Sequence, residues 1–178
     1  LNTGDGADSL YIYSNANVSG LLEAYGATNT TIKTDDTFSP GVHEYISISD
    51  STGNWGEDDF EKKSSAIAFD KSTLNTGDGS DQIYLNAYAD GSGVLEAYGA
   101  TNTTINTDDF YSPGGDDYIS ISASTENWED NPAEKSTAIA FDKSTLNTGD
   151  GADSLYIYSN ANGSGVLEAY GATNTTIN

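Results

Sequence analysis

The residues best placed to do chemistry in this chain are carboxylates set on glycine turns. Residues 74–85 read LNTGDGSDQIYL, residues 1–12 read LNTGDGADSLYI, and residues 146–157 repeat the latter letters. Each copy carries two aspartates: Asp5 and Asp8, Asp78 and Asp81, Asp150 and Asp153. Two weaker copies lie between them. There Glu44 and Asp117 take the place of Asp8, Asp81 and Asp153, preceded by Asp35/Asp36 and Asp108/Asp109. Carboxylate and backbone carbonyl oxygens on a tight, glycine-permitted turn are hard-cation chemistry, suited to Ca²⁺. The same glycines also serve an ordinary solvated acidic turn, and both readings stay open on these residues alone.

The elements that position these acids repeat with them. Leu1, Leu74 and Leu146 open equivalent blocks, 1–73, 74–145 and a partial 146–178, with a repeat of about 73 residues. Each block holds two coils, and each coil holds three short segments. One type reads LEAYG or AIAFD, the next TTINT or STLNT, the last DYISIS or DSLYIYS. They alternate with period two, as half-buried strands do. Threonine and glycine are poor helix formers, and no apolar spacing of three and four persists. The expected fold is all-β: a single parallel β-helix or β-solenoid with about three strands per coil. A roughly triangular section is expected, with a flattened two-sheet roll as its rival.

That arrangement sorts the side chains. Ile32, Leu74, Ile105, Leu146 and Ile177 are expected to stack inward, between outward Thr31, Thr73, Thr104, Thr145 and Thr176. The pairs Leu10/Ile12, Ile46/Ile48, Ile83/Leu85, Ile119/Ile121 and Leu155/Ile157 form a second inward set. Tyr25, Phe69, Tyr98, Phe141 and Tyr170 align as one aromatic row, either core stacking or an exposed stripe; the core reading stands slightly ahead, because an exposed row of that length invites association. Residues 50–65 and 123–136 read as long excursions carrying Trp55 and Trp128, each pinned to the wall by its Trp or offered to a neighbouring molecule.

Stacking has a charge consequence. Equivalent residues of successive coils lie ~4.8 Å apart. Like unit charges at that distance repel by roughly 1 kcal/mol per pair even in water. A row of Asp8, Glu44, Asp81, Asp117 and Asp153 therefore calls for a cation, for raised pKa values, or for side chains that splay into solvent.

Residues 3–11, 76–84 and 148–156 resemble the nonapeptide G-G-x-G-x-D-x-U-x of repeats-in-toxin (RTX) proteins, with threonine in place of the first glycine. The resemblance implies Ca²⁺ bound in a parallel β-roll, with Asp8, Asp81 and Asp153 as ligands and Glu44 and Asp117 as weaker counterparts. The pattern STLNTGDGxD followed by IxIS is also similar to long repeat proteins of bacterial cell surfaces.

Composition narrows the partners. The 178 residues carry a net charge of −22 and no cysteine, and 35% of them are hydrophobic. A repeat protein manages with so thin a core because each unit buries its apolar residues against its neighbours. Nucleic acid and anionic membrane are poor partners for such a surface, disulfides are excluded, and no stretch is apolar enough for membrane insertion as a helix. His43, the sole histidine, has no repeated partner and reads as a surface residue. Every candidate carboxylate pair recurs, whereas a catalytic site is normally single, so no enzyme is expected. The Asn-x-Ser/Thr triplets at Asn17, Asn29, Asn102, Asn162 and Asn174 fit the glycosylation pattern but arise easily in so Asn- and Thr-rich a chain.

The expectation is an extracellular, cell-surface structural segment of a fibre, sheath or adhesin. Ca²⁺ rigidifies it, and head-to-tail self-association into filaments follows from uncapped strand edges at Leu1 and Ile177. A carbohydrate-active β-helix of lyase or epimerase type is the alternative, with surface polysaccharide stacking on Tyr11, Tyr13, Tyr156 and Tyr158. Ice binding through the outward Thr-x-Asn rows, interrupted by Lys33, is a minor third.

Overall fold

β-Branched and aromatic residues alternate with small polar ones along most of the chain, and such segments fit a pleated, half-buried surface. They form fifteen strands in a computed structural model that describes residues 1–4, 6–17, 21–34, 43–54, 63–108, 114–128 and 134–178. The first coil is β1 (Ser9–Asn17), β2 (Leu22–Thr28) and β3 (Thr31–Lys33). The second is β4 (Tyr45–Asn54), β5 (Lys63–Asp70) and β6 (Thr73–Asn75). The third is β7 (Gln82–Gly91), β8 (Val94–Thr101) and β9 (Thr104–Asn106). The fourth is β10 (Tyr118–Asn127), β11 (Lys135–Asp142) and β12 (Thr145–Asn147), and the fifth is β13 (Ser154–Asn162), β14 (Val166–Thr173) and β15 (Thr176–Ile177).

Corresponding strands pair in parallel and build three five-stranded sheets. Sheet B is β1-β4-β7-β10-β13, sheet C is β2-β5-β8-β11-β14, and sheet A is β3-β6-β9-β12-β15. The molecule is thus a parallel β-solenoid with three sheets around one core. Among the described residues no helix is long and apolar enough to cross a membrane.

The inward stacks of sheets A and B fall where the sequence places them. Ile46 pairs with Ile83, Ile83 with Ile119, and Ile48 with Leu85; all are fully buried. Ile32, Leu74, Ile105 and Leu146 line the core from sheet A. On the outer face of sheet A the asparagines form an amide ladder. Asn106 donates to Asn75 at 2.6 Å, Asn147 to Asn106 at 2.6 Å, and Asn178 to Asn147 at 2.8 Å.

Sheet C corrects the aromatic row. Its register pairs Tyr25 with Ile67, Ile67 with Tyr98, Tyr98 with Ile139 and Ile139 with Tyr170. Phe69 instead pairs with Ala27 and Ala100, and Phe141 with Ala100 and Ala172. The row therefore splits in two. Phe69 and Phe141 are fully buried, while Tyr25 and Tyr170 stand 42% and 46% exposed. The physical reason is volume: a core only one strand spacing per layer cannot take a large ring in every coil, so phenylalanine alternates with alanine. Glycine makes the remaining room. A Cβ on Gly99 would lie 2.6 Å from the Ala140 carbonyl oxygen and 2.9 Å from Ile121 Cγ2.

The excursions are also shorter than expected. Strands β4 and β10 run on to Asn54 and Asn127, and β5 and β11 begin at Lys63 and Lys135. Asp50, read as the start of a loop, is an inward strand residue, 2% exposed. Its carboxylate accepts the Ile67 N–H at 2.7 Å and a hydrogen bond from the Ser14 hydroxyl, and burial raises its pKa. Trp55 lies outside the described residues. Trp128 is 53% exposed, and its backbone N–H donates to the Gly91 carbonyl at 3.1 Å.

Because Gly99 meets backbone on two sides, Gly99→Ala is expected to cost about 1–3 kcal/mol. Gly171→Ala is the control, since its Cβ would meet nothing nearer than 3.7 Å. Urea unfolding followed by circular dichroism should show a lowered midpoint for the first variant and little change for the second.

Candidate functional site

The acids of the repeat converge inside the turn between sheets A and B. After β3, β6 and β9 a buried threonine ends the run, and a few residues later the acid precedes the sheet B strand. Thr34, Thr76 and Thr107 have no solvent exposure, and Glu44, Asp81 and Asp117 are 1%, 1% and 2% exposed. Sequence reasoning left these carboxylates between solvent and a cation. The structure turns them into the solenoid, where the carboxylates of Asp81 and Asp117 meet backbone.

The contact is regular. Asp81 Oδ1 accepts the N–H of Glu44 at 3.0 Å, Asp117 Oδ1 that of Asp81 at 2.8 Å, and Asp153 Oδ1 that of Asp117 at 3.1 Å. Each carboxylate therefore reaches back one coil and satisfies a backbone donor that the sheet B ladder leaves over. A second ladder one residue earlier runs the other way. His43 Nδ1 accepts the Ser80 N–H at 3.0 Å, Ser80 Oγ accepts the Asp116 N–H at 3.0 Å, and Asp116 Oδ1 accepts the Ala152 N–H at 2.9 Å. His43 is exposed as expected, yet it has a place in a repeated pattern. The buried threonines close the turn with a third ladder: Thr76 Oγ1 donates to the Thr107 carbonyl at 3.3 Å, and Thr107 Oγ1 to the Thr148 carbonyl at 3.1 Å.

These ladders use one oxygen each of Asp81, Asp117 and Asp153. The second oxygens of Asp8, Asp81 and Asp117 are buried without a hydrogen-bond partner. Burial raises the pKa of Asp81, with hydrogen bonds to Glu44 and Thr76 pulling it back. Asp117 is pushed up to about 6, first by burial and then, against its hydrogen bonds, by the charges of Asp81 and Asp153.

Asp108 is the member of the cluster that sequence reasoning passed over as a ligand. Both of its carboxylate oxygens are buried without a hydrogen-bond partner. Burial, together with the charges of Asp117, Asp153, Asp78 and Asp81, pushes its pKa up to about 7. The signal was present. Asp108 stands in NTDD where the neighbouring coils read NTGD, at the position of Gly77 and Gly149. Its carboxylate fills the space that a side chain on Gly114 or Gly149 would need.

The remaining candidates are less enclosed. Asp78 is half-buried, Asp150 is exposed, and Asp8 and Asp153 are half-buried. Asp5, Asp35, Asp36 and Asp109 lie outside the described residues. Among the described residues no three acidic or histidine side chains converge closely enough to hold a metal ion by themselves. The donor type nevertheless suits a hard cation in part: Asp108 and Asp117 leave orphaned oxygens in one turn, and Asp81 in the equivalent turn of the coil before it. Backbone carbonyls line it too, since those of Gly79 and Gly115 press on the glycine of the next coil.

No protein-family model, curated protein or solved structure matches the chain.

The raised pKa values set a direction for stability. Unfolded aspartate titrates near ~3.9, so above that pH the folded chain holds protons that the unfolded chain has released. The stabilisation tied to these protons is complete below the unfolded value and is lost as pH rises through about 6 for Asp117 and about 7 for Asp108. In EDTA the melting temperature is therefore expected to fall between about pH 5 and about pH 8. Asp108→Asn should flatten that slope. An unchanged slope would place the effect in general charge repulsion instead.

Proposed function

We propose that this chain is a structural segment of an extracellular, cell-surface fibre, sheath or adhesin, rigidified by Ca²⁺ and able to extend into filaments. The observation that carries the reading is recurrence. Acid, threonine and asparagine ladders pass from coil to coil at equivalent positions, and all three sheets keep one parallel register. A catalytic centre breaks such periodicity at one place. A load-bearing rod does not need to.

Calcium is supported by the buried, orphaned oxygens of Asp81, Asp108 and Asp117 and by the likeness of three segments to the RTX nonapeptide. Asp8, Asp81, Asp117 and Asp153 would hold it, with Glu44, Asp78, Asp150 and Asp5 as the further acids of the same turns. The ion would supply charge neutralisation that otherwise falls to protons.

Filament growth is supported by the register itself. The contacts that join one coil to the next can be continued by a further coil, of the same chain or of a second copy. A head-to-tail contact of this kind does not close, so it propagates.

Two measurements test the proposal. Ca²⁺ that binds only the folded chain should stabilise it by RT ln(1 + [L]/Kd), ~2.7 kcal/mol at a hundredfold excess over Kd. Identical melts in Ca²⁺ and in EDTA would remove calcium from the account. Electron microscopy of the native material should show filaments or a fibrous layer, and isolated, capped particles at all Ca²⁺ concentrations would reject assembly.

A further inference from the structure

On the outward face of sheet C a groove of about 350 Å³ follows the solenoid axis across four coils. Its floor is Tyr25, Ile67, Tyr98 and Ile139, one residue from each coil. Its wall is the turn that follows the strand, where Asp70-Lys71 and Asp142-Lys143 flank Thr101-Asn102. Both floor and wall therefore repeat every second coil, a distance of roughly 10 Å at the parallel strand spacing.

The lysines are informative. Lys71 and Lys143 have φ of 46° and 47°, in the left-handed region, where the alternate coils carry Asn29, Asn102 and Asn174. Asparagine visits that region more readily than lysine does. Backbone preference alone thus favours asparagine in all five coils, and lysine at two of them has to be explained by its side chain. Each ammonium rests 3.1 Å from the carboxylate of the preceding aspartate, and the lysine side chains are 60% and 61% exposed. An ammonium has three donors, so each keeps N–H groups for a further partner. Asp70 and Asp142 in turn accept hydroxyls from Thr28 and Thr173, which holds the carboxylates against the wall.

We propose that this groove binds an uncharged, extended, β-linked polysaccharide, one disaccharide to every two coils. A sugar ring offers an apolar C–H face and a rim of hydroxyls. A half-exposed tyrosine ring flanked by carboxylate, amide and ammonium groups complements both. In an extended β-linked chain successive sugars are flipped, so the chain repeats by disaccharides, over a length comparable to the two-coil repeat. The wall pairs each ammonium with a carboxylate, which suits a neutral ligand. An anionic polysaccharide meets a protein of net charge −22. A volume of this size lies at the small end of ligand pockets.

The tyrosines of sheet B are the less suitable platform. Tyr11, Tyr45, Tyr84, Tyr118 and Tyr156 form a zigzag with ring centroids 5.3, 5.4, 5.6 and 6.3 Å apart. Adjacent rings are tilted by 31–41° and lie against one another, so each ring shares part of its surface with a neighbouring ring. In sheet C an isoleucine separates each tyrosine from the next, which leaves each ring free to meet a sugar.

The test is calorimetric titration of the whole chain with hexasaccharides of β-1,4-linked glucose and of β-1,4-linked N-acetylglucosamine, with α-1,4-linked glucose as the curved control. At least one β-linked hexasaccharide should bind, more tightly than its disaccharide and than the α-linked chain. Tyr98→Ala should weaken binding about tenfold. The double variant Lys71→Asn/Lys143→Asn, which installs the residue the alternate coils already use, should weaken it with the circular dichroism unchanged. Tyr13→Ala on sheet B should leave affinity as it is. Absence of binding by both β-linked chains, equal affinity for the α-linked one, or full affinity in the folded lysine double variant would overturn the proposal. None of these outcomes depends on calcium or on filament formation.

Discussion

In-register parallel stacking is the constraint on which everything else in this molecule depends. Each strand lies one strand spacing from its equivalent, so every side chain meets its own counterpart above and below. Apolar residues gain from this: Ile46, Ile83 and Ile119 form an unbroken column without exposure. Amides gain too, because asparagine carries donor and acceptor and can continue a chain of hydrogen bonds through Asn75, Asn106, Asn147 and Asn178. Carboxylates lose, because an ionised carboxylate only accepts. The acid column is tolerable because each Oδ1 takes a backbone N–H from the preceding coil rather than facing another carboxylate. Such charge-assisted bonds are the strong ones, and an unmet buried N–H is costly.

Volume obeys the same constraint. A large ring repeated in every coil would overfill a core of fixed spacing, so the chain alternates size from coil to coil. Phenylalanine faces alanine in the inward row of sheet C, Ala27, Phe69, Ala100 and Phe141. This explains why the natural period is two coils rather than one. On the outer face of sheet B the two-coil period appears as an offset: Tyr45 and Tyr118 sit two residues off the row of Tyr11, Tyr84 and Tyr156, and the rings meet diagonally. Diagonal neighbours across parallel strands remain within reach of aromatic side chains, so the offset still builds a continuous aromatic seam.

Much of this was legible in the sequence, and what was not has definite causes. The strand types, the two-coil block and the inward stacks of sheets A and B followed from alternation, because each of those rows keeps one residue class throughout. Sheet C was misaligned by two residues. Aligning Phe69 and Phe141 with the tyrosines maximised likeness, and likeness misleads where packing demands alternation of size. The positions of Asp8, Glu44, Asp81, Asp117 and Asp153 were correctly seen as one row, but their burial was not. A carboxylate beside a glycine turn reads as solvated unless the free backbone donor of the adjoining coil is counted. Asp108 was missed for a related reason, since its role comes from the glycines of other segments that leave it room.

The acid turn then has to solve a problem that hydrogen bonds alone leave standing. Accepting a backbone N–H satisfies one oxygen and leaves the formal charge in place, in a region screened from water. The charges of Asp81 and Asp117 both raise Asp108, and the charge of Asp81 raises Asp117. Two neutralisers are available to such a cluster, a proton and a hard cation, and they compete for the same orphaned oxygens. The proton prevails where pH is below the elevated values of about 6 and about 7. Above them the charge returns, and the Ca²⁺ proposed above would be the neutraliser that remains. The acid cluster is thus the part of the solenoid whose charge changes with pH, while the apolar columns and amide ladders carry no titrating group.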